Sequence, residues 1–288
     1  MNAAGDRLRN LPQYLLPQRL STRIAYRLTR SRKLWLKDRL IRAFIARFDV
    51  DMSEALEPDP GAYAHFNAFF TRALKPDARP LAAGEDVLCC PVDGAVSQAG
   101  VLTGDTVLQA KGRCYSLTAL LGGDAARAAP FRDGRFATLY LAPRDYHRIH
   151  MPIAGRLREM VHVPGRLFSV SPLTTRMVPN LFARNERVAA LFDTALGPLA
   201  LVMVGAINVA SIETVWAGVV TPPLGRQIRA WRYPASGADA VALARGAEMG
   251  RFNMGSTVIV LAANPALHWD AAIQPGARVR MGQTLGAS

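Results

Sequence analysis

The sequence predicts an α+β protein in which a basic amphipathic helical region at the N-terminus precedes a larger body of mainly antiparallel sheet. Apolar residues recur at helical spacing before residue 48, whereas short β-rich runs separated by glycine and proline follow Pro80. The chain has 288 residues, of which half are hydrophobic and 20% are charged. This composition excludes disorder for most of the chain and allows one substantial core with a small appendage.

The N-terminal helix is predicted over residues 19–48. Its apolar stripe consists of Leu36, Leu40, Phe44 and Phe48, with Ile41 and Ile45 on the adjacent ridge. Because Pro12 and Pro17 precede it, residues 11–16 are expected to form a separate short turn or helix. Trp35 and Phe44 suit the apolar side of a helix in a membrane interface. The alternative is that the stripe packs on the rest of the protein, and both can hold for different turns.

The net charge of +13 is concentrated at this end of the chain. Residues 1–48 hold twelve basic residues against Asp6 and Asp38, a net charge of +10, and the other 240 residues carry +3. The total favours an acidic partner such as nucleic acid, an anionic membrane or a phosphorylated substrate. Its location on an amphipathic helix favours the membrane surface.

The helix-breaking residues 58–61 (PDPG) end the helical region, because two prolines and a glycine cannot continue a helix. We therefore divide the chain into an N-terminal region, 1–60, and a body, 61–288. Residues 63–72 are predicted to form a short aromatic-rich helix. Its Phe66, Phe69 and Phe70 side chains could meet lipid, but aromatic residues at this spacing more often belong to a core.

The body is predicted to contain strands at 87–90, 95–102, 107–110, 136–142, 157–163, 188–192, 199–204, 208–215, 226–231 and 257–261, and a helix at 116–121. Segments 91–96 and 275–286 resemble the glycine-cornered strands of lipoyl-type sandwiches. No lysine lies beyond Lys111, which argues against a swinging-arm carrier.

The cysteine and hydropathy patterns limit the setting of the protein. Three cysteines cannot pair fully, and Cys89 and Cys90 lack the two-residue gap of a redox or zinc pair, so a reducing compartment is expected. No stretch reaches the roughly 18 apolar residues that a spanning helix needs. We see no secretory signal at the N-terminus.

His147 and His150 lie between Pro143 and Pro152. On a helix they would share one face as possible metal ligands, but the segment is too short for a comfortable helix and has no cysteine at ligand spacing. In a loop or turn, the two imidazoles could instead reach different atoms of one pocket. The simpler alternative is a pair of surface histidines.

Two further residues can be explained as turns when they are considered singly. Asp93 precedes Gly94 between strand-like runs, and Ser256 follows Gly255 at the mouth of an apolar strand. The pattern around Ser256 is not the nucleophile elbow of the α/β-hydrolases. Together, however, Asp93, a histidine and Ser256 supply a nucleophile, a base and a carboxylate that can orient the base.

The ordered motifs of the chain resemble those of the bacterial phosphatidylserine decarboxylases. They are FFTRALKP (69–76), PVDG (91–94), DYHRIHMP (145–152), GRLFSV (165–170), NLFARNER (180–187), VGAINV (204–209), GAEMGRF (246–252) and GST (255–257). The basic N-terminal helix fits the membrane-bound branch of that family. Met254 stands where the family has leucine, a volume-conserving change that leaves the reacting Gly255-Ser256 pair intact.

The resemblance implies self-cleavage at Gly255-Ser256. The Ser256 hydroxyl attacks the Gly255 carbonyl, and elimination and hydrolysis release a β chain (1–255) and an α chain (256–288) that begins with a covalent pyruvoyl group, the pyruvate cofactor. His150 is the implied base and Asp93 its orienting carboxylate. A decarboxylase needs an electrophilic carbonyl, and the scarcity of lysine weakens the pyridoxal alternative.

The resemblance also implies the reaction and the partners. The pyruvoyl group forms a Schiff base with the amine of phosphatidylserine, CO2 leaves, and phosphatidylethanolamine is released, a step of phospholipid biosynthesis. His147 steers the carboxylate or returns the proton. The implied assembly is a β–α heterodimer and a dimer of these, bound peripherally to the cytoplasmic side of the cell membrane with no metal and no nucleic acid.

Two other classes of function stay open on the sequence. A lipid-directed serine hydrolase could use Ser256, His150 and Asp93 without processing. A non-enzymatic basic protein could bind membrane or nucleic acid through residues 1–48, although the body contains no nucleic-acid motif. Whether the purified chain cleaves itself distinguishes the decarboxylase from both of these alternatives.

Overall fold

A computed structural model describes residues 18–110, 112–207, 211–221, 225–253 and 257–288. Within these ranges the helices are α1 Gln18–Thr29, α2 Leu34–Phe48, α3 Phe66–Phe70, α4 Leu117–Leu120, α5 Ala125–Ala128, α6 Pro172–Met177 and α7 Leu181–Arg184, with 3-10 turns at Pro60–Ala62, Pro76–Ala78 and Ala129–Phe131. The expected turn at 11–16 lies outside the described residues.

The strands are β1 Val87–Cys89, β2 Gly94–Val101, β3 Thr106–Ala110, β4 Arg113–Ser116, β5 Arg135–Tyr140, β6 Arg148–His150, β7 Gly155–Val163, β8 Arg187–Thr194, β9 Gly197–Val204, β10 Ile212–Thr214, β11 Gly218–Thr221, β12 Arg229–Arg232, β13 Ala242–Leu243, β14 Glu248–Phe252, β15 Thr257–Ala262, β16 His268–Trp269, β17 Arg278–Val279 and β18 Thr284–Ala287. Each predicted run contains or overlaps one of them. The predicted α+β class, with mainly antiparallel sheet, is confirmed.

A nine-stranded antiparallel sheet forms the centre of the body, in the order β12-β7-β8-β9-β15-β5-β2-β17 with β13 also paired to β7. β15 pairs along its whole length with β9 on one side and β5 on the other. Its six residues are all buried, which explains why they read as a continuous apolar run rather than an alternating one. A second sheet, β11-β10-β14-β6, carries the chain into β15.

Segments 91–96 and 275–286, which look alike in sequence, lie side by side. β17 pairs with the start of β2 through Arg278 opposite Ala95 and Val279 opposite Gly94. The Cys90 amide also donates to the Gln283 carbonyl, at 2.7 Å. The last strands of the chain therefore close the sheet beside Asp93.

The N-terminal helical region differs from the prediction, because two helices replace the single helix expected over 19–48. α1 ends at Thr29 and α2 begins at Leu34. Residues 29–33 (TRSRK) are all polar and interrupt the apolar stripe. Lys37 of α2 is a charged residue that the fold buries, and it donates to the Gly61 carbonyl at 2.8 Å.

α2 and α3 share a small hydrophobic cluster of their own. Its buried members are Ile41, Val50, Tyr63, Phe66, Phe69 and Phe70, against which Leu40, Phe44, Ile45 and Phe48 of α2 pack. The core interpretation of the three α3 phenylalanines is therefore confirmed. At the other end of α2, Leu34 and Trp35 are 69% and 68% exposed, so packing accounts for the later turns and leaves the first turn free.

No helix in the described part of the chain is both long enough and apolar enough to cross a bilayer.

Candidate active site

The predicted cleavage site at Gly255 and Ser256 lies, with Met254, outside the described residues, but both ends of this segment are fixed. On one side, the Asn253 amide donates to the Ser211 carbonyl at 2.9 Å, and its side-chain oxygen accepts from Asn67 at 2.8 Å. On the other side, Thr257 begins β15 and lies between Val204 and Tyr140. The segment therefore joins two anchored strands that belong to different sheets.

The histidine segment lies beside the strand that leads to this site. β6 pairs with β14, with His150 opposite Glu248 and Arg148 opposite Arg251. The Phe252 amide donates to the His147 carbonyl at 3.1 Å. Both histidines therefore come close to the chain that enters the cleavage segment.

His147 is fully buried, which contradicts the surface-histidine alternative. Its Nδ1 lies 2.7 Å from the Asp145 carbonyl, which can only accept, so Nδ1 carries the proton. Its Nε2 has no hydrogen-bond partner among the described residues. Burial lowers the pKa of His147 to about 3, so the ring is neutral at physiological pH and its Nε2 lone pair is free.

His150 is partly buried and both of its ring nitrogens are engaged. Nδ1 donates to the Gly246 carbonyl at 2.8 Å, and Nε2 lies 2.9 Å from the Tyr146 hydroxyl. Burial lowers the pKa of His150, while the hydrogen bond to Gly246 and the negative charges of Glu248 and Asp93 oppose that shift. The neutral ring is thus the ground state, with Nε2 as its basic atom.

Asp93 is buried and is held mainly by Arg79. The Arg79 Nη2 and Nε atoms lie 2.6 and 2.9 Å from the two carboxylate oxygens, and the Met281 amide donates to one of them at 2.8 Å. Arg79 also binds Glu54 at 2.7 Å, and its pKa is raised by hydrogen bonds to both acids. Asp93 makes no hydrogen bond with His150 in this structure. The Gly246 carbonyl takes the place expected for the orienting carboxylate, and the negative charge of Asp93 only weakly opposes the lowering of the His150 pKa by burial.

The glycine after Asp93 has a steric reason of its own. A Cβ on Gly94 would lie 2.4 Å from the Tyr140 carbonyl oxygen, closer than any real contact. Gly94 begins β2 and leads into the pair between Ala95 and Tyr140. Gly94 therefore permits β2 to approach β5 closely. It begins a strand and does not form the Asp-Gly turn that the sequence suggests.

A polar cavity of about 380 Å³ adjoins Asp93. Arg72, Arg79, Tyr146 and Arg278 are among the residues that line it. Arg278 binds Asp145 at 2.6 Å and so fixes the start of the histidine segment. The cavity gives solvent a route to Asp93, and Tyr146 lies on its wall.

Sequence reasoning overlooked three groups at this site. Tyr146 lies inside the DYHRIHMP motif beside both histidines, so its position in the sequence is a signal. Gly246 contributes a backbone carbonyl, which every residue type carries, and no pattern could have indicated it. Arg79 follows the FFTRALKP motif, and only the fold brings it to Asp93.

No group of three His, Cys, Asp or Glu side chains in the described ranges could hold a metal ion.

Comparison with known proteins agrees with the family resemblance that the sequence motifs indicate. The sequence model of a family described as phosphatidylserine decarboxylase matches residues 66–287, and a second model, described as PSD, matches residues 8–49. A relative from Bordetella pertussis is 60% identical over 280 residues, 97% of this chain and 94% of its own length. Relatives from Nitrosococcus oceani (58% identical; 98% and 91% covered) and Azotobacter vinelandii (57%; 98% and 98%) align over 281 residues.

All three relatives are named phosphatidylserine decarboxylase proenzyme. The first family model covers well over half of the chain, and the relatives align with nearly all of it. The chain therefore belongs to the phosphatidylserine decarboxylase family.

Proposed function

We propose that this chain decarboxylates phosphatidylserine to phosphatidylethanolamine after cleaving itself between Gly255 and Ser256. The observation that supports this best is the pairing of β6 with β14, which brings His147 and His150 beside the chain entering that bond. The word proenzyme in the relatives' names agrees with processing. The membrane lipid is the substrate that the family name indicates.

In the proposed self-cleavage, the Ser256 hydroxyl attacks the Gly255 carbonyl carbon. A C–O bond forms, the C–N bond breaks, and the amide nitrogen leaves with a proton, so an ester replaces the peptide bond. His150 is the base, since Nε2 carries the lone pair of the neutral ring while Nδ1 donates to the Gly246 carbonyl. Asp93 stabilises the imidazolium through its charge. Elimination and hydrolysis then separate the chains 1–255 and 256–288.

The described residues on either side of the cleavage segment fit a small polar group derived from Ser256. His147 Nε2 and the Thr257 hydroxyl are both buried and have no hydrogen-bond partner among the described residues. The pyruvoyl group, held covalently at position 256, supplies an electrophilic carbonyl that takes up the electron pair left when CO2 departs. The donors and acceptors of the chain itself then decide where protons move.

The role of His147 follows from its charge state. A neutral imidazole does not attract the substrate carboxylate by charge, which disfavours the steering role weighed above. The buried Nε2 is the ring atom that can hold a proton, and the low pKa of His147 means that a proton held there is readily given to the carbon that lost CO2. We therefore propose that His147 carries the proton in the decarboxylation half-reaction.

We propose a peripheral position on the cytoplasmic side of the cell membrane, and the N-terminal helices support the contact with a membrane. Ile24, Leu28, Leu34 and Trp35 are exposed apolar side chains within a segment whose net charge is +10. Each Lys or Arg close to an anionic bilayer contributes about 1 kcal/mol of attraction. An anionic lipid substrate is concentrated on such a surface.

The two chains would stay together as a heterodimer, because β15 of the α chain pairs with β9 and β5 of the β chain. The resemblance also implies a dimer of these heterodimers. Size-exclusion chromatography with light scattering tests both levels of assembly.

The test of processing is a denaturing gel and mass spectrum of the purified chain, followed by release of CO2 from phosphatidylserine. We expect fragments that end at residue 255 and begin at residue 256, with a pyruvoyl mass at the latter. Ser256→Ala should stay intact and inactive, whereas Ser97→Ala, a control on β2, should process normally. A single intact, inactive chain would refute the proposal, and ester hydrolysis by an intact chain would favour the serine hydrolase.

A further inference from the structure

The turn that orients His150 lies between β13 and β14. The Ala247 amide donates to the Ala244 carbonyl at 3.0 Å, which closes a four-residue turn with Arg245 and Gly246 at its centre. Gly246 has a φ of +77°, the left-handed value that a type II turn places at its third residue and that glycine adopts without strain. Its carbonyl accepts from His150 Nδ1 at 2.8 Å. The orientation of the imidazole therefore depends on where this turn is held.

Arg245 attaches the turn to the segment that precedes β1, residues 79–84. Its Nη1 atom donates to the Gly84 carbonyl at 2.6 Å, and its Nη2 atom donates to the Ala82 carbonyl at 2.7 Å. Nη2 also lies 3.0 Å from the Cys89 sulfur. A planar guanidinium binds two carbonyls at once in a fixed geometry, which a lysine ammonium cannot reproduce. The Arg245 side chain thus holds the turn rigidly against this segment.

Two further contacts hold the central glycine of the turn. The Gly246 amide donates to the Met151 carbonyl, just after β6, at 2.9 Å. A Cβ on Gly246 would lie 2.7 Å from Leu81 Cδ1, so the Leu81 side chain already rests on the glycine. Arg79, in the same segment as Leu81, binds the Asp93 carboxylate at 2.6 Å. The turn is therefore held both by the chain after β6 and by the segment that binds Asp93, and its hydrogen bonds to that segment come from Arg245.

We propose that Arg245 is a positioning residue for His150, because it fixes the Gly246 carbonyl that selects the tautomer of the ring; its effect on cleavage rests on the proposed function above. A backbone carbonyl can only accept, so the imidazole bonded to it carries its proton on Nδ1 and its lone pair on Nε2. The Tyr146 hydroxyl, 2.9 Å from Nε2, does not make this choice, since a hydroxyl can donate or accept. If the turn moved away, the tautomer with its proton on Nε2 would compete, and that form has no basic atom at Nε2.

The bond to the turn also affects the charge that His150 can carry. Burial is the largest influence and lowers the pKa of His150. The hydrogen bond to Gly246 opposes this shift more than the negative charge of Glu248 or of Asp93 does. The turn therefore performs the task that an orienting carboxylate performs elsewhere, and the residue that holds the turn is the one whose loss should release the ring.

The first experiment determines the tautomer of His150 in the intact, full-length Ser256→Ala chain. Histidine is isotope-labelled at its ring nitrogens, the His150 signals are assigned by their loss in His150→Gln, and long-range nitrogen–proton correlations in the NMR spectrum show which nitrogen carries the proton. We expect the proton on Nδ1, and a proton on Nε2 would overturn the proposal without the need for any variant of Arg245. In Arg245→Met the signals should move toward the tautomer with the proton on Nε2.

The matched control is Arg135→Met. Arg135 also donates to two backbone carbonyls, those of Leu267 and Pro265, at the start of β5. Its loss should weaken resistance to urea as the loss of Arg245 does, but should leave the His150 signals unchanged. An unchanged His150 spectrum in Arg245→Met, or an equal change in Arg135→Met, would refute the positioning role.

The second experiment measures cleavage of the full chain, synthesised without cells and followed on a denaturing gel. We expect Arg245→Met to cleave at least about tenfold more slowly, since a displacement of about 1 Å at a reacting group costs roughly 100-fold. Arg245→Lys keeps the charge but cannot bind both carbonyls, so it should be slow as well. A wild-type rate for either variant would overturn the proposal, and for Arg245→Lys alone it would assign the effect to charge. A wild-type chain that never cleaves would refute the proposed function, while the NMR spectrum would still decide the role of Arg245.

Discussion

Gly94→Ala offers the sharpest test of how the fold positions the site. The added Cβ would lie 2.4 Å from the Tyr140 oxygen, 3.1 Å from its carbonyl carbon and 3.6 Å from the Leu141 Cα. All three are backbone atoms, so no side-chain rotation can relieve the contact. β2 must move away from β5 by at least 0.6 Å to bring the closest contact to 3.0 Å.

The expected loss in free energy of unfolding is about 3 kcal/mol. Overpacking of this kind costs roughly 1–3 kcal/mol, and a weakened strand hydrogen bond adds about 1 kcal/mol. Tyr140 also pairs with Thr257, so its displacement would disturb the residue that follows Ser256. We therefore expect self-cleavage to slow as well as the fold to weaken.

The assay is urea unfolding in a Ser256→Ala background, where one intact chain allows two-state treatment. Gly100→Ala is the matched control on the same strand, because its Cβ would meet the Phe136 ring at 3.3 Å, a side chain that can yield. Any entropic gain from replacing glycine is similar in both variants. Equal destabilisation by the two substitutions, or a Gly94→Ala effect below about 0.5 kcal/mol, would refute the reasoning.

Three further predictions concern buried charge and the membrane. Because His147 is buried and neutral with its pKa lowered to about 3, the free energy of unfolding should fall as pH drops below about 6.5, at up to roughly 1.4 kcal/mol per pH unit. Urea titrations at several pH values should show that this fall is shallower for His147→Gln. An unchanged dependence on pH would contradict a buried, neutral His147. Arg187→Met should lower the free energy of unfolding by more than about 3 kcal/mol, since the buried guanidinium donates to the carbonyls of residues 119, 120, 183 and 185. In the same urea assay, the exposed control Arg226→Met should change it by less than about 0.5 kcal/mol. Trp35→Ala should weaken sedimentation with phosphatidylserine vesicles several-fold at unchanged Tm, and unchanged vesicle binding would contradict the membrane assignment.

Most of the sheet could be predicted from sequence because glycine and proline mark where its strands end. The run predicted over 199–204 lies inside β9, and that over 257–261 lies inside β15. Their pairing could not be read, since strands that are buried on both faces carry no alternation that identifies a partner. The order β9-β15-β5 emerges only in the folded chain.

The helical region shows where a periodic pattern was extended too far. The apolar repeat begins at Leu36, and residues 29–33 contain no apolar side chain that would connect this repeat to the segment before it. The helix break was therefore visible in the sequence, but the burial of Lys37 was not. Its partner is a backbone carbonyl of Gly61, which no spacing of side chains could have indicated.

The candidate site could likewise be predicted only in part from the sequence. The sequence indicated Asp93, His147 and His150 as chemically useful types, and the fold adds the groups that they contact. Gly246 supplies the carbonyl that orients His150, and Arg79 binds the Asp93 carboxylate, so the expected hydrogen bond between Asp93 and His150 is absent from this structure. Such contacts depend on three-dimensional proximity across long stretches of chain.

Position 255 separates two strands that belong to different sheets, β14 and β15. Before cleavage, folding of the chain is unimolecular and independent of its concentration. Afterwards the 33 residues from 256 to 288 would be a separate molecule whose strand lies in the middle of a sheet, hydrogen-bonded on both sides. Its release would open that sheet, and reassembly would need two disordered partners to meet, so the stability of the processed protein would depend on concentration. The chain would therefore have to fold before it is processed, and the two fragments would not readily refold together once the processed protein had unfolded.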